Sequence, residues 1–169
     1  KEKYFMFIGG RNEYKNYDLL LRAFSLLVKI DPKWKLYVVG ENNHSKDAEE
    51  KRYAELGISD YVCDYGLVNQ EAMINLIQNS TAVVIPSLNE GFNFPLIEAM
   101  ACGCPVIATR TPGPIDVIIN NENGYLLSQR GKGGTFTFLF VTDFDNPFLV
   151  CVCAFFSFVK SVVKVVLAD

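Results

Sequence analysis

The sequence predicts an α/β domain built on a doubly wound, Rossmann-like parallel sheet. Two observations carry this expectation. Short apolar runs alternate with segments of helical period from Tyr4 to Leu127, joined by short connections. Runs such as Thr81–Ile85 (TAVVI) are rich in β-branched residues and uninterrupted by charge. Strands that are apolar throughout are covered on both faces, and strand–helix alternation makes such sheets parallel.

Taken in order, Tyr4–Ile8 (YFMFI) is a strand stopped by Gly9-Gly10. Tyr17–Ile30 is a helix, because Leu20, Ala23, Phe24 and Leu27 recur at spacings of three and four. Asn16 suits its N-cap and Asp31-Pro32 its end. Lys35–Val39 is a second strand, closed by Gly40. Asp47–Leu56 reads as a charged, exposed helix with Gly57 at its exit. Tyr61–Tyr65 is a short strand, and Gln70–Gln78 a helix with Met73, Ile74 and Ile77 on one face. Thr81–Ile85 is a strand stopped by Pro86. Pro95–Cys102 is a helix, with Pro95 at its first position and Gly103 after it. Pro105–Ala108 (strand), Ile115–Ile119 (short helix) and Tyr125–Leu127 (short strand) complete the pattern.

The composition changes near Gln129, which divides the chain into a domain over residues 1–129 and an apolar tail over 130–169. Eight of the 13 phenylalanines fall after residue 135. The uncharged run Pro147–Val159 is 13 residues long, short of the ~20 that a membrane-spanning helix requires. The tail reads as a core segment, a divergent extension or a mistranslated end ahead of a peripheral membrane contact helped by Lys160 and Lys164.

The 169 residues leave room for one ordinary domain or half of a two-domain enzyme. A formal charge of −3 argues against a nucleic-acid partner. Five cysteines without framework spacing, and no secretory signal at the start, point to a reduced, cytoplasmic setting. The chain opens on Lys1, which suggests a piece of a longer protein.

In doubly wound sheets the ligand crevice lies at the carboxyl ends of the strands. Here those ends lead into Gly9-Gly10-Arg11, Gly40-Glu41, Pro86–Glu90 and Thr109–Gly113. The segment Glu90-Gly91-Phe92-Asn93-Phe94-Pro95-Leu96-Ile97-Glu98 sets two carboxylates eight positions apart, one in a loop and one in the first turn of the helix that follows. Helical side chains lean toward the N-terminus, so Glu98 should tilt back over the crevice. It is the only charged residue between Gly91 and Thr109, and a hydroxylated ligand such as a ribose would satisfy it. The helix start offers free N–H groups and the positive end of a dipole to an anion. Gly91 allows close backbone approach. Arg11 and Lys15 add two cations on the facing loop, and the whole reads as a diphosphate cradle. The plainer reading is a surface acid, a helix-start acid and a solvated basic loop, and the completeness of the pattern favours the ligand.

The run Gly10-Arg11-Asn12-Glu13-Tyr14-Lys15-Asn16, followed by Glu90–Glu98 and Ala99-Met100-Ala101-Cys102-Gly103-Cys104-Pro105-Val106-Ile107-Ala108, resembles the donor-binding half of retaining GT-B glycosyltransferases of family 4, the group 1 glycosyltransferases. Asn123-Gly124-Tyr125-Leu126 resembles the family's following segment, so the likeness spans roughly residues 4 to 127. It implies a nucleotide-diphospho-sugar substrate, GDP- or UDP-linked, and no metal or other cofactor. It implies Arg11, Lys15 and Glu90 as catalytic, the two cations on the pyrophosphate and Glu90 near the transferred sugar. Gly10, Arg11, Lys15, Gly91, Phe92, Asn93, Phe94 and Glu98 would bind the donor, with Glu98 on the ribose. It implies sugar transfer with retention to a glycan or lipid-linked acceptor held by an N-terminal domain that this chain lacks. The Tyr14-Lys15-Asn16 context leans toward a mannosyl-type donor. Two alternatives remain: a non-catalytic nucleotide-sugar-binding module, and hydrolytic or epimerase chemistry on a nucleotide sugar.

Other features carry less. Asp143-Phe144-Asp145 matches a D-x-D metal pattern but reads as an acidic turn. Gly131–Thr135 lacks phosphate-loop spacing and reads as a flexible joint. His44 reads as an exposed loop histidine, and Cys102, Cys104, Cys151 and Cys153 as packing residues.

Overall fold

The computed structural model describes residues 3–42, 45–119 and 122–127 in full, and the backbone of 129–130 and 135–136. His44, Asp143–Asp145, Cys151, Cys153 and nearly all of the apolar tail lie outside the described residues. The elements are β1 (Lys3–Ile8), α1 (Tyr17–Ile30), β2 (Trp34–Val39), α2 (Lys46–Leu56), β3 (Val62–Gly66), α3 (Gln70–Asn79), β4 (Ala82–Ile85), α4 (Phe94–Ala101), β5 (Val106–Thr109), α5 (Pro114–Val117) and β6 (Gly124–Leu127). Two-residue strands β7 (Gln129–Arg130) and β8 (Thr135–Phe136) pair antiparallel, so strand pairing brackets the glycine-rich stretch expected as a joint.

The first six strands form one sheet in the order β3-β2-β1-β4-β5-β6, every neighbouring pair parallel. This is the expected doubly wound α/β fold. Strand alternation sorts the side chains onto two cores. Phe5 and Phe7 of β1 and Leu36 and Val38 of β2 pack with Leu20, Phe24 and Leu27 of α1. Met6 and Ile8 turn to the other face and join Val83, Ile85, Val106 and Ala108 beneath Ile77 of α3 and Leu96 and Ala99 of α4. Winding reverses between β1 and β4, where the chain goes one way to β2 and β3 and the other to β5 and β6. A crevice opens at such a reversal because the loops of the two central strands leave in opposite directions.

Several local expectations change. Asn16 stands at the N-cap position of α1 but adopts a left-handed conformation (φ 55°) and makes no side-chain cap; its amide instead donates to the Pro86 carbonyl at 3.2 Å. True side-chain caps come from Ser45, Asn69 and Asn93, each accepting from an amide three residues on. Helix α2 is not exposed all round, since Glu49 and Tyr53 are buried. On α3, Ile77 is buried and Met73 packs beside it, but Ile74 is exposed. Helix α4 begins one residue early at Phe94, so its first turn contains no acid and Glu98 lies beyond it. Cys104 is buried and Cys102 half-buried against the second core, as packing residues should be.

The loop after β5 meets the loop after β4 backbone to backbone at Gly113 and Gly91. Gly113 has φ 86°, and a Cβ built on it would overlap the carbonyl oxygen of Gly91. Gly113→Ala should therefore destabilise the domain by about 3 kcal/mol through left-handed strain plus displacement of the Gly91 loop, read as a lowered urea midpoint at unchanged slope. A variant as stable as the parent would refute this contact.

Candidate functional site

Backbone packing sets the floor of the crevice. Gly9 ends β1 with φ 140° and Gly40 ends β2 with φ 132°. A Cβ on Gly40 would stand 2.5 Å from the Gly9 carbonyl oxygen, so the two turns fit only as glycines. The aliphatic stem of Lys15 runs over Gly9, where a Cβ would lie 3.6 Å from Lys15 Cε.

The loops of β1 and β4 join across the reversal. Lys15 Nζ donates to Glu90 Oε1 at 2.6 Å, with the two side chains 14% and 9% exposed. The same oxygen accepts from Ser87 Oγ at 2.5 Å. Leu88 N donates to Tyr14 O at 2.7 Å, and Thr109 Oγ1 donates to the Ser87 carbonyl. Loops from β1, β4 and β5 thus hold one another, and the paired cation and carboxylate mark the seam.

Helix α4 starts just beyond Glu90. Asn93 Oδ1 accepts from Leu96 N at 3.2 Å, which fixes the orientation of its amide; its Nδ2 is buried without a hydrogen-bond partner. Gly91 is exposed. Phe92 and Phe94, 71% and 66% exposed, meet edge to face with ring centroids 5.1 Å apart. Glu98 is exposed and has no side-chain partner among the described residues. Its charge therefore carries no burial cost, unlike the carboxylate in apolar surroundings that the sequence suggested.

Arg11 does not join Lys15. The half-buried Gly10 leads into it, and its guanidinium reaches toward β2 and β3, with a side chain 0% exposed. Nε donates to Glu49 Oε1 at 3.1 Å and Nη2 to Asp64 Oδ2 at 2.7 Å. Nη1 donates to the carbonyls of Gly40 and Glu41 at 2.8 and 3.0 Å. The expectation of two cations facing one crevice is thus corrected: two acids and two carbonyls across the β2 and β3 ends draw Arg11 inward. Burial works to lower its pKa, but Asp64 and Glu49 outweigh it and hold the pKa above the ordinary arginine value.

Around Arg11 lies a network that sequence reasoning missed. Glu49 Oε2 accepts from Asn42 Nδ2 at 2.7 Å and from Tyr53 OH at 3.3 Å. The hydroxyls of Tyr53 and Tyr17 are 2.9 Å apart, and Asp64 Oδ1 accepts from Gly66 N at 2.9 Å. A cavity of about 460 Å³ borders it, lined by Arg11, Tyr17 and Glu49 of the network and by Asn12, Asp18 and Arg52 among others. The one available signal was Glu49 sharing a helix face with Tyr53, four residues on. Ser87 was also missed; only its place at a strand end marked it. Among the described residues, no three His, Cys, Asp or Glu side chains gather as a metal-ligand set, and no helix is long and apolar enough to cross a membrane.

A doubly wound parallel sheet with a cation, an acid and a helix N-terminus at its reversal is an α/β domain of the Rossmann-like class. The chain belongs to the glycosyl transferases group 1 family, whose model matches residues 1–132. It is 35% identical over 133 residues to a D-inositol 3-phosphate glycosyltransferase of Frankia alni, covering 74% of this chain and 33% of that protein. Among solved structures it resembles the C-terminal domain of a group 1 glycosyl transferase from Francisella tularensis (TM-score 0.65, 26% identity, 75% of this chain and 67% of that one). It shares its fold with Anabaena HepE in complex with UDP-glucose (TM-score 0.65, 21% identity, 76% of this chain and 35% of that one). The chain spans about a third of the length of the curated relatives it matches.

Burial pushes the Tyr53 phenol up to about 12, Glu49 adding to the shift while the Tyr17 hydrogen bond opposes it. Burial and Tyr53 push Tyr17 up as well. A phenol held neutral in the fold but free to ionise when unfolded stabilises in full below its ordinary value near pH 10. That stability is lost as pH rises toward about 12. Denaturant midpoints should fall between pH 10 and 11.5, and Tyr53→Phe should flatten the fall. A parent curve flat over that range would contradict the buried network.

Proposed function

We propose that this chain is the donor-binding part of a glycosyltransferase that moves a sugar, with retention, from a GDP- or UDP-linked nucleotide sugar to an acceptor. The carrying observation is the Lys15–Glu90 pair at the sheet reversal, beside the start of α4. Lys15 takes the diphosphate, and the backbone of Gly10 permits its close approach. Amides from Gly91 to Phe94 bind phosphate and sugar at the positive end of the α4 dipole. Glu90 accepts from hydroxyls of the transferred sugar. The exposed Glu98 accepts from the ribose.

Catalysis on this reading is electrostatic. As the bond to the anomeric carbon breaks, negative charge grows on the departing diphosphate, where the Lys15 ammonium and the helix N-terminus stabilise it. No metal ion is required for that step. A glycan or lipid-linked acceptor is held by a preceding domain in the whole protein, which works in the cytoplasm.

The test is calorimetric titration of the folded chain with UDP-glucose, GDP-mannose and other sugar nucleotides, with and without EDTA. Binding is expected to survive EDTA. Glu98→Ala should weaken it by about 1.5–3 kcal/mol, the scale of hydrogen bonds to a charged acceptor, and Lys15→Met should weaken it further. No binding of any sugar nucleotide refutes the reading, and equal binding by Glu98→Ala refutes the ribose assignment. Nucleotide release without transfer would point to hydrolysis.

A further inference from the structure

We propose that Arg11 is a positioning residue, holding the ends of β1, β2 and β3 so that Lys15 and the α4 N-terminus can receive a diphosphate. The inference rests on the donor reading above. The Arg11 side chain has no exposed surface, and Nε, Nη1 and Nη2 all donate to protein acceptors. Its four acceptors belong to the turn after β2, the end of β3 and helix α2. A planar guanidinium with five donors in a fixed fork can hold several acceptors at set angles, which a lysine in its place could not.

What Arg11 fixes is the first half of the loop that carries Lys15. The Gly9 amide donates to the Val39 carbonyl at 2.9 Å and the Gly40 amide to the Gly66 carbonyl at 2.9 Å, so three strand ends form one ladder of turns. Arg11 closes that ladder from the side. The second half of the loop is fixed independently, by Tyr14, Lys15 and Asn16 against the β4 loop. Arg11 and Lys15 thus anchor opposite ends of one short loop, and only the Lys15 end lies at the reversal.

The experiment compares UDP with UMP, and GDP with GMP, by calorimetry on the full chain, with thermal melts showing that each variant is folded at the assay temperature. Lys15→Met should bring the diphosphate-to-monophosphate affinity ratio close to one. Arg11→Gln should weaken both nucleotides by the same factor, about tenfold, and keep the parent ratio. Arg11→Lys should not rescue. Asp64→Asn and Glu49→Gln supply the decisive sign. If Arg11 were a phosphate ligand held back by these acids, removing either acid would tighten diphosphate binding. A positioning role requires both variants to bind more weakly, in the pattern of Arg11→Gln, and they carry the test if Arg11→Gln does not fold.

A ratio that collapses in Arg11→Gln overturns the inference. So does tighter binding by Asp64→Asn, or parental affinity in folded Arg11 and Asp64 variants, which would leave only a structural role. If the parent chain binds neither nucleotide pair nor any sugar nucleotide, the donor reading fails and the inference falls with it. Parental binding by the variants leaves that reading intact and refutes Arg11 alone.

Discussion

Lys15 and Glu90 meet where the sheet reverses its winding, and the geometry of the rim follows from keeping them there. Both side chains are largely removed from water, so neither charge is tolerable without the other; removing one partner of a buried pair typically costs about 3–5 kcal/mol. Holding the pair requires two loops from different strands to arrive at one point. Glycine contacts do part of this, since Gly40 against Gly9 and Gly113 against Gly91 let backbones touch where a side chain on Gly40 or Gly113 would wedge them apart. Hydrogen bonds from Leu88, Asn16, Ser87 and Thr109 complete it. Without this convergence the pair would be an ordinary surface ion pair, worth about 0–1 kcal/mol and screened by salt.

The two cations of the first loop show how position in a sheet decides chemistry. Arg11 and Lys15 lie four residues apart, yet one turns toward β2 and β3 and the other toward β4. Arg11 meets Asp64 and Glu49, which lock its guanidinium onto protein acceptors. Lys15 meets a single carboxylate at the edge of a crevice, an exchangeable arrangement on the proposed reading. A phosphate could replace Glu90 at the ammonium, and Glu90 could turn its acceptor oxygens to sugar hydroxyls.

Much of the fold was legible because its signals are local. Strand runs such as AVVI and the three-four spacing of Leu20, Phe24 and Leu27 name their elements without tertiary help, and α1 occupies the residues its period marked. Legibility failed where a contact joins distant segments. Asn16 looks like a cap by type, but the Pro86 carbonyl, 70 residues away, competes for its amide. Helix α2 reads as solvated because its apolar pattern is weak, yet a buried arginine across the sheet end gives Glu49 a reason to face inward. The site divides the same way. The helix start and the acids of Glu90–Glu98 follow from one continuous segment, whereas the direction of Arg11 depends on Asp64, 53 positions away.

Charge balance at the seam bears on what the site can recognise. Lys15 is already neutralised by Glu90, so the added positive potential of the described rim comes from the exposed Arg110 after β5 and from the end of a helix, worth roughly half an elementary charge. A bare diphosphate would have to compete with Glu90 for Lys15 and would then face a displaced carboxylate close by. A sugar attached to the diphosphate changes that balance, because its hydroxyls donate hydrogen bonds to the carboxylate that the phosphate has displaced. The pair can then open with both charges satisfied again, the ammonium by phosphate and the carboxylate by hydroxyls. On the proposed reading, the same two side chains that join the loops thereby discriminate in favour of an intact sugar nucleotide over its leaving group.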